Sequence, residues 1–595
     1  LLVGCVAFAT SCDLTEDVQV KADKSMIFGS KSGLELYSNS FYKALPTLKN
    51  GFMQDKMCDV GAVSNTDTFI KQGAYNTETA TSWSWGALKN VNYFIDGCND
   101  PKYCTVEAET RDNYLGIARW FRAWFYYDKL TTYGEVPWFP NDIQSYQNDV
   151  MYKDRDSRDV IIRNLIADLD FAYEHIQATS STGSATLTRW AAAALKSRVC
   201  LFEAAYRRYH NLTGLEITPE ELYREAAKAA KLVIDNSGCS LNTAAGKKGA
   251  YRDLFYSETP LTQEVILAVC ANEKSGIFGE QNWWFNARSY GLCWSLVRSF
   301  VHTYLKQDGT PFTAAADYAV KSFAEEMEGR DLRLEQTVRG RNFLWDGKTA
   351  VADIKNLSLT GYQVIKYTLD ESKYDGGAKN INSIPLIRYA EVLLNYAEAQ
   401  AELGVITDSE WALTVGALRK RAGITGGTET LPTTVDSYLQ RTFYPDVTSP
   451  VLLEIRRERA IELVAEGMRF DDLRRWKCGS LMETLPWSGI HIPGLEQPVD
   501  VNGDGVNDYY FTEGEVASAP AAYKNIAVRV NQDGVGLYAE ANPVSGYDLV
   551  YKTGAGDRYW YPDGRQYLYP IPAKVIRDYR NAGYTISQNP EWDNE

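Results

Sequence analysis

The sequence contains few of the residues from which metal centres and hydrolytic active sites are usually built. Four histidines occur in 595 residues, and none of the ten cysteines forms a C-x-x-C pair. These counts argue against a structural zinc site, which needs closely spaced thiolates or imidazoles. The chain also lacks H-E-x-x-H, G-x-S-x-G and Walker-type phosphate-loop motifs. The sequence leaves open a catalytic pair of carboxylates, as in glycoside hydrolases, because any two of the 77 acidic residues could meet in the fold.

Long apolar runs are also missing. Residues 1–9 are apolar and uncharged, but a bilayer span takes about 20 apolar residues. The run ends in a Thr-Ser-Cys sequence similar to the cleavage site of bacterial lipoproteins. We therefore expect a signal-peptide remnant at 1–11, lipidation of Cys12 and a polar, lipid-anchored tether at 12–30. The alternative is a plain export signal, with Cys12 as an incidental thiol.

Basic residues are fewer than acidic ones. The chain has 62 lysines and arginines against 77 aspartates and glutamates, a formal net charge of −15. Nucleic acids and anionic membrane surfaces would repel such a chain, so neither is expected as its main partner. The charge balance favours neutral ligands.

Two cysteines lie close together in the sequence. Cys98 and Cys104 flank Pro101 and could close a small disulfide in an oxidising compartment. Two buried thiols are the alternative, because free cysteine is often buried as a small apolar residue. The sequence leaves both interpretations open.

Helical periodicity dominates the remainder of the chain. Several predicted helices are paired across short polar turns and contain small residues that permit close packing, a pattern typical of tetratricopeptide-like repeats. Residues 239–384 and 479–566 instead indicate loops and short strands inserted among the helices. The predicted helices are 107–132, 158–178, 188–209, 219–236, 386–403, 409–421 and 450–467.

Four stretches resemble the SusD/RagB family of surface lipoproteins from the Bacteroidetes. They are RWFRAWFYYDKLTTYGEVPWF from Arg119, IPLIRYAEVLLNYAEAQAELG from Ile384, ERAIELVAEGMRFDDLRRWK from Glu458 and YLYPIPAKVIRDYRNAGYTISQNPEW from Tyr567. They occur in the family's order. One departure is Ala465, where the family motif usually has an aromatic residue.

The resemblance implies both a fold and a function. The fold class is mainly α, a tetratricopeptide-like helix-pair scaffold at 31–595 with loop-rich and short β insertions. The function is capture of an oligosaccharide at the extracellular face of the outer membrane, without catalysis. The implied partner is a SusC-like TonB-dependent transporter barrel. Two alternatives stay open: capture of peptides, as in RagB-like members, and a surface glycoside hydrolase.

The segment 279–295 is the first candidate for ligand binding. Aromatic side chains cover the C–H faces of sugars, and amides or guanidinium groups bond the hydroxyls. Neighbouring side chains of a strand point oppositely, so one of the two adjacent tryptophans is expected to be exposed. Packing of these rings between insert and helices is the alternative. The candidate platforms are Trp283, Trp284, Tyr290 and Trp294, and the candidate donors are Gln281, Asn282, Asn286 and Arg288.

Two further tryptophans are weaker candidates. Trp83 lies in a polar run of threonine and serine, two residues before Trp85, which resembles a structural residue of the family. Family members often place binding residues near this point. Trp345, in NFLWDGK, is the other.

The stretch DVNGDGVNDYY resembles an extracellular calcium loop. Calcium prefers oxygen ligands that alternate along such a loop, and a glycine permits its sharp turn. The twelfth position holds Phe511 instead of the bidentate glutamate of an EF-hand, so a shorter loop is expected, with a structural role. An empty turn is the alternative. The predicted ligands are Asp500, Asn502, Asp504, the Val506 carbonyl and Asp508.

The charged motif around 454–477 is interpreted as structural. Glu458 and Glu462 stand at helical spacing and are followed by Arg469, Asp472 and Arg475, so charge pairs are expected around a helix end capped by Gly467. A catalytic pair would need one raised pKa and a partner across a cleft, and the sequence indicates neither.

Overall fold

The computed structural model describes residues 24–49, 53–286, 293–552 and 558–593. The predicted signal remnant, Cys12 and the first part of the tether lie outside these residues. Helices dominate the described chain: α1 Lys24–Phe28, α2 Lys31–Ser38, α3 Gly86–Asn99, α4 Ala108–Tyr133, α5 Asn148–Met151, α6 Arg158–His175, α7 Arg189–Tyr209, α8 Pro219–Asn236, α9 Asp253–Tyr256, α10 Gln281–Asn286, α11 Arg298–Val301, α12 Phe323–Met327, α13 Arg333–Thr337, α14 Tyr389–Glu402, α15 Asp408–Leu413, α16 Val415–Arg421, α17 Ser437–Phe443, α18 Pro450–Glu462, α19 Arg469–Arg475, α20 Leu481–Thr484 and α21 Ala573–Asn581.

The strands are short and form separate small sheets. The strands are β1 Gly61–Ala62, β2 Val265–Val269, β3 Ser295–Leu296, β4 Leu344–Trp345, β5 Lys348–Thr349, β6 Ile384–Arg388, β7 Ser488–Ile492, β8 Pro498–Val499, β9 Tyr509–Thr512, β10 Ala527–Arg529, β11 Leu537–Ala541 and β12 Tyr547–Tyr551. β12 lies between β7 and β11 and is antiparallel to both, whereas β9 lies antiparallel to β8 and parallel to β10. β2 pairs with β6, β1 with β3 and β4 with β5.

The long helices pack side by side as the predicted scaffold requires. α4 packs on α6 and α3, α6 on α7, α7 on α8, and α14 on α8 and α18. The four alanines at 191–194 are buried, which lets the helices approach closely. The mainly α, tetratricopeptide-like prediction with short β insertions is confirmed. No helix of the described residues is both long and apolar enough to cross a membrane.

Local signals set most helix boundaries. α8 begins at the predicted residue, where Thr218 and Glu221 form a capping box and Pro219 occupies the first turn. α4 ends at Gly134, whose φ of 75° is readily adopted only by glycine. The helix predicted from residue 386 was wrong at its start, because residues 384–388 form β6 against β2. The segment predicted at 409–421 is two helices divided at Thr414.

The charged motif forms a buried ion-pair network. Glu462 is fully buried and accepts from Arg388 at 2.6 Å, from Arg333 at 2.8 Å and from Arg421. Burial raises the pKa of Glu462, but the three guanidinium groups outweigh it and hold the pKa well below its usual range. The structural interpretation of this motif is confirmed. Gly467 does not cap α18, because that helix ends at Glu462.

The N-terminal part differs from the sequence prediction in where the tether ends. The predicted tether extends to residue 30, whereas α1 begins at Lys24 and Phe28 is fully buried. Cys98 and Cys104 are not bonded to each other, and burial raises the pKa of the Cys98 thiol. The structure therefore shows the free thiols, and disulfide formation stays a prediction.

Candidate functional site

Trp83 lies in a cleft of about 900 Å³. Three stretches of chain form it: residues 78–92, residues 139–152 and residues 572–579. We call it the Trp83 cleft. Ligand sites are typically concave, of about 300–1,000 Å³ and mostly apolar with a few polar groups. This cleft is therefore the leading candidate for a binding site.

Aromatic rings form one wall of the Trp83 cleft. Trp83 packs edge-to-face on Trp85, with ring centroids 5.3 Å apart, and on Tyr133 at 4.9 Å. Trp85 in turn contacts Phe139 at 5.2 Å. Both tryptophans are half-buried, so each keeps part of its surface accessible. The prediction took Trp85 as purely structural, but it also lines the cleft.

A buried asparagine positions the second wall. The Nδ2 group of Asn92, in α3, donates to the carbonyl of Phe139 at 2.8 Å and to that of Asn141 at 3.0 Å. Arg122 of α4 donates to the Pro140 carbonyl at 2.9 Å. These bonds hold residues 139–141 against α3, because backbone carbonyls of a buried turn need partners.

The third wall is α21, which sequence reasoning missed. The amide of Ala573 donates to the Thr77 carbonyl at 2.9 Å, and Arg577 pairs with Glu78 at 2.6 Å. Glu78 and Arg577 are 499 residues apart in sequence. A local pattern cannot reveal such a pairing. The available signal was the row of charged residues in α21, directly after the Pro-Ile-Pro turn.

The segment predicted first, around α10, lies elsewhere. Trp283 packs edge-to-face on Trp284 with centroids 5.5 Å apart, and Trp284 packs on the hydrophobic core. Both are half-buried, in a helix rather than the strand on which the prediction relied. The cleft lining includes neither tryptophan. Arg288 and Tyr290 lie outside the described residues.

The amides of α10 serve mainly to hold the fold. Asn282 is fully buried and donates to the Leu369 carbonyl at 2.8 Å, and Gln281 is also fully buried. The prediction that these two bind ligand was wrong, since burial makes them inaccessible. Asn286 is half-buried and donates to Asp375 at 3.2 Å, so only part of it is available. Burial raises the pKa of Asp375, and the bonds from Asn282 and Asn286 partly oppose this.

Trp345, the third candidate, is half-buried beside Arg339, whose guanidinium is 5.2 Å from its ring. The lining of the Trp83 cleft does not include it. We call Trp283, Trp284 and Asn286 of α10, together with Asp375, the α10 surface.

Comparisons with known proteins agree with the fold. The sequence model of the SusD family matches residues 263–592, which is more than half of the chain. The chain belongs to the SusD family. No curated protein matches this SusD-family chain in sequence.

Solved structures of SusD-like proteins superpose along nearly the whole chain. A SusD-like protein from Bacteroides fragilis is 20% identical, with 96% of this chain and 98% of that chain covered at a TM-score of 0.65. A SusD-like carbohydrate-binding protein from the same organism is 19% identical, with 93% and 99% covered at 0.66. A SusD homologue from Bacteroides thetaiotaomicron is 15% identical, with 97% and 100% covered at 0.58. Such likenesses establish the fold.

Trp294 is a core residue of this SusD-family chain. It is 4% exposed, its indole packs directly on Gly61, and its Nε1 donates to the Asp55 carbonyl at 3.2 Å. The prediction that Trp294 is a ligand platform was therefore wrong. The signal for its burial was absent from the local sequence, because Gly61 lies in another part of the chain.

The predicted calcium loop forms a turn held by its own carboxylates. The two oxygens of Asp500 accept from the amides of Gly503 and Gly505 at 2.7 and 2.8 Å, and Asp508 accepts from Val501 at 2.8 Å. Burial raises the pKa of Asp508, and the bond from the Val501 amide partly opposes this rise. The negative charges of Asp504 and Asp500 raise the pKa further. Within the described ranges, no three His, Cys, Asp or Glu side chains are arranged to hold a metal ion. Calcium binding stays a prediction.

Proposed function

We propose that this SusD-family chain captures oligosaccharides in the Trp83 cleft and passes them, uncleaved, to a SusC-like TonB-dependent transporter barrel. The observation that carries the proposal is a concave site with tryptophan walls and a polar rim. A SusD-like carbohydrate-binding protein of the same fold supports it.

The geometry suits a sugar better than a fully apolar ligand. Trp83 and Trp85 offer flat apolar surface, and indole rings bury about 150–250 Å² each. Asn141, Ser145 and Lys89 supply hydroxyl partners at the rim, where all three are exposed. A cleft of about 900 Å³ accommodates several sugar rings.

The carboxylates of the cleft are unsuited to catalysis. Glu78 and Asp578 are both well exposed, and each pairs with a basic side chain, Arg577 and Lys574 respectively, at 2.6 Å. A glycosidase needs two carboxyl groups that both face the scissile bond, whereas each of these two is bound to its own basic side chain. This arrangement supports the proposal of capture without hydrolysis.

Anchoring at the outer membrane is part of the proposal. The Thr-Ser-Cys junction supports lipidation of Cys12, and a lipid anchor followed by a polar segment would hold the folded part near the transporter. Mass spectrometry of the protein extracted from membranes is expected to detect a lipid on Cys12. A Cys12→Ser variant is expected in the soluble fraction.

Calorimetric titration against a panel of polysaccharides, their oligomers and peptide digests, with product analysis, tests the function. Binding of one glycan class, recovered intact, is expected. Binding of peptides alone would favour the RagB-like alternative, and appearance of shortened product would favour a hydrolase.

A further inference from the structure

We propose that the Trp83 cleft selects anionic glycans, those that carry carboxylate or sulfate groups. The inference rests on the proposed function and names the class of sugar that the cleft takes. It departs from the net charge of −15, which by itself favours neutral ligands. The local charge of the cleft differs from that of the whole chain.

Basic side chains outnumber acidic ones in the lining. Lys89, Lys574 and Arg577 face two carboxylates, Glu78 and Asp578. The whole chain has the opposite excess, 62 basic against 77 acidic residues. Clefts concentrate the potential of the charges that line them, because their walls exclude part of the solvent. A local excess of positive charge therefore acts on a ligand inside the cleft more strongly than the distant negative surface does.

Both carboxylates of the cleft lining already form ion pairs, so one of the three basic side chains has no carboxylate partner within the lining. Arg577 pairs with Glu78 and Lys574 with Asp578, each at 2.6 Å. Lys89 has no ion pair within the part of the chain that the structure describes, and its side chain is exposed. The Arg577–Glu78 pair is more than half exposed on both sides, and exposed pairs contribute little to stability. A ligand anion can share or replace that carboxylate.

The start of α3 adds to the positive potential. α3 has 14 residues, and no side chain caps its N-terminus at Trp85. Gly86 lines the cleft, and the space beside its Cα is open. Helix N-termini attract anions through free N–H groups and the aligned peptide dipoles. Lys89 lies in this first turn, so both contributions act at the same end of the cleft.

One acidic side chain is bonded to the second wall. Asp96 accepts from the Asn141 side chain and from the amide of Asp142, both at 2.8 Å. Neither Asp96 nor Asp142 is part of the cleft lining, so neither changes the excess of basic over acidic residues there.

The test compares charged and neutral oligosaccharides of equal length. Calorimetric titrations of the full chain would use oligogalacturonides against their fully methyl-esterified forms, and sulfated against desulfated carrageenan oligosaccharides, which contain no uronic acid. The two pairs separate carboxylate from sulfate recognition. At least one anionic member is expected to bind about tenfold more tightly than its neutral partner, the effect of one favourable charge contact. Raised salt should shrink the difference, because salt screens exposed charges.

Matched lysine variants locate the effect. Lys89→Gln is expected to weaken binding of the anionic member about tenfold and binding of the neutral member by less, so that most of the preference is lost. The circular dichroism spectrum should be unchanged. Lys228→Gln, an exposed lysine of α8 away from the cleft, is the control and should change neither affinity. Because Lys89 is exposed, loss of folding is not expected, and Lys574→Gln provides a second variant.

The outcomes separate the two proposals. Equal or tighter binding of the neutral members overturns the inference and leaves glycan capture intact. A preference for anions that persists fully in Lys89→Gln and Lys574→Gln also overturns it, since the charge would act elsewhere. Binding of peptide digests with no glycan bound in any arm overturns the proposed function itself.

Discussion

Replacing Glu462 by glutamine should destabilise the fold by removing the centre of the buried ion-pair network. The carboxylate accepts from Arg388, Arg333 and Arg421 and is fully buried. A neutral amide leaves these guanidinium groups under-compensated in a medium of low dielectric. Breaking a buried pair in this way costs about 3–5 kcal/mol.

The expected shift in melting temperature follows from the size of the chain. An unfolding entropy of about 2.1 cal/mol/K per residue gives about 1.25 kcal/mol/K for the whole chain. A loss of 3–5 kcal/mol therefore lowers the Tm by about 2–4 °C, more if the network unfolds as a smaller unit. Differential scanning calorimetry measures this shift.

A matched control distinguishes burial from charge alone. Glu429 pairs with Lys420 at 2.6 Å, but both side chains are about half exposed or more. Glu429→Gln should shift the Tm by less than about 1 °C, because exposed ion pairs contribute little to stability. Equal shifts in Glu462→Gln and Glu429→Gln would refute the reasoning. Glycan affinity should be unchanged in both, because neither residue lines the Trp83 cleft.

Three further predictions follow from individual sites. Burial lowers the pKa of His210 from 6.5 to about 4. The stability that neutral His210 contributes is therefore complete above pH 6.5 and is lost as the pH falls towards 4. Denaturant titrations should show a loss of about 2–3 kcal/mol in the free energy of unfolding over this range, and His210→Phe should not show it. Trp294→Ala should cost about 3–5 kcal/mol in the same titrations yet leave glycan binding intact, and a selective loss of binding would contradict its assignment to the core. Calcium at ten times its Kd should stabilise the chain by about 1.4 kcal/mol, and no rise in Tm, or an equal rise in Asp504→Asn, would exclude the predicted calcium loop.

Elements with strong local signals could be predicted from sequence. α4 and α8 carry clear helical periodicity with a glycine stop or a capping box, so their boundaries match within a residue. β6 could not be separated from α14, because its strand conformation depends on pairing with β2, far away in the sequence. Local preference and tertiary pairing compete at such a junction, and the pairing decides.

The candidate site was only partly predictable for the same reason. Trp83 was identified from its polar surroundings, and the structure places it in the lining of a cleft of about 900 Å³. The opposite wall, α21, is brought there by contacts such as that between Arg577 and Glu78, which no local pattern encodes. Trp294 has an equally suggestive sequence context, but it is buried because Gly61 provides space for its ring.

The most direct test of glycan capture in the Trp83 cleft compares three proteins with the tightest-binding oligosaccharide by calorimetry. These are the unmodified chain, Trp83→Ala, and a double variant carrying Trp283→Ala and Trp284→Ala on the α10 surface. Loss of one aromatic contact of about 1.5–3 kcal/mol should weaken binding about 10- to 150-fold in Trp83→Ala. The double variant should bind as the unmodified chain does. Unchanged affinity in Trp83→Ala, with loss in the double variant, would contradict the account and assign the site to the α10 surface.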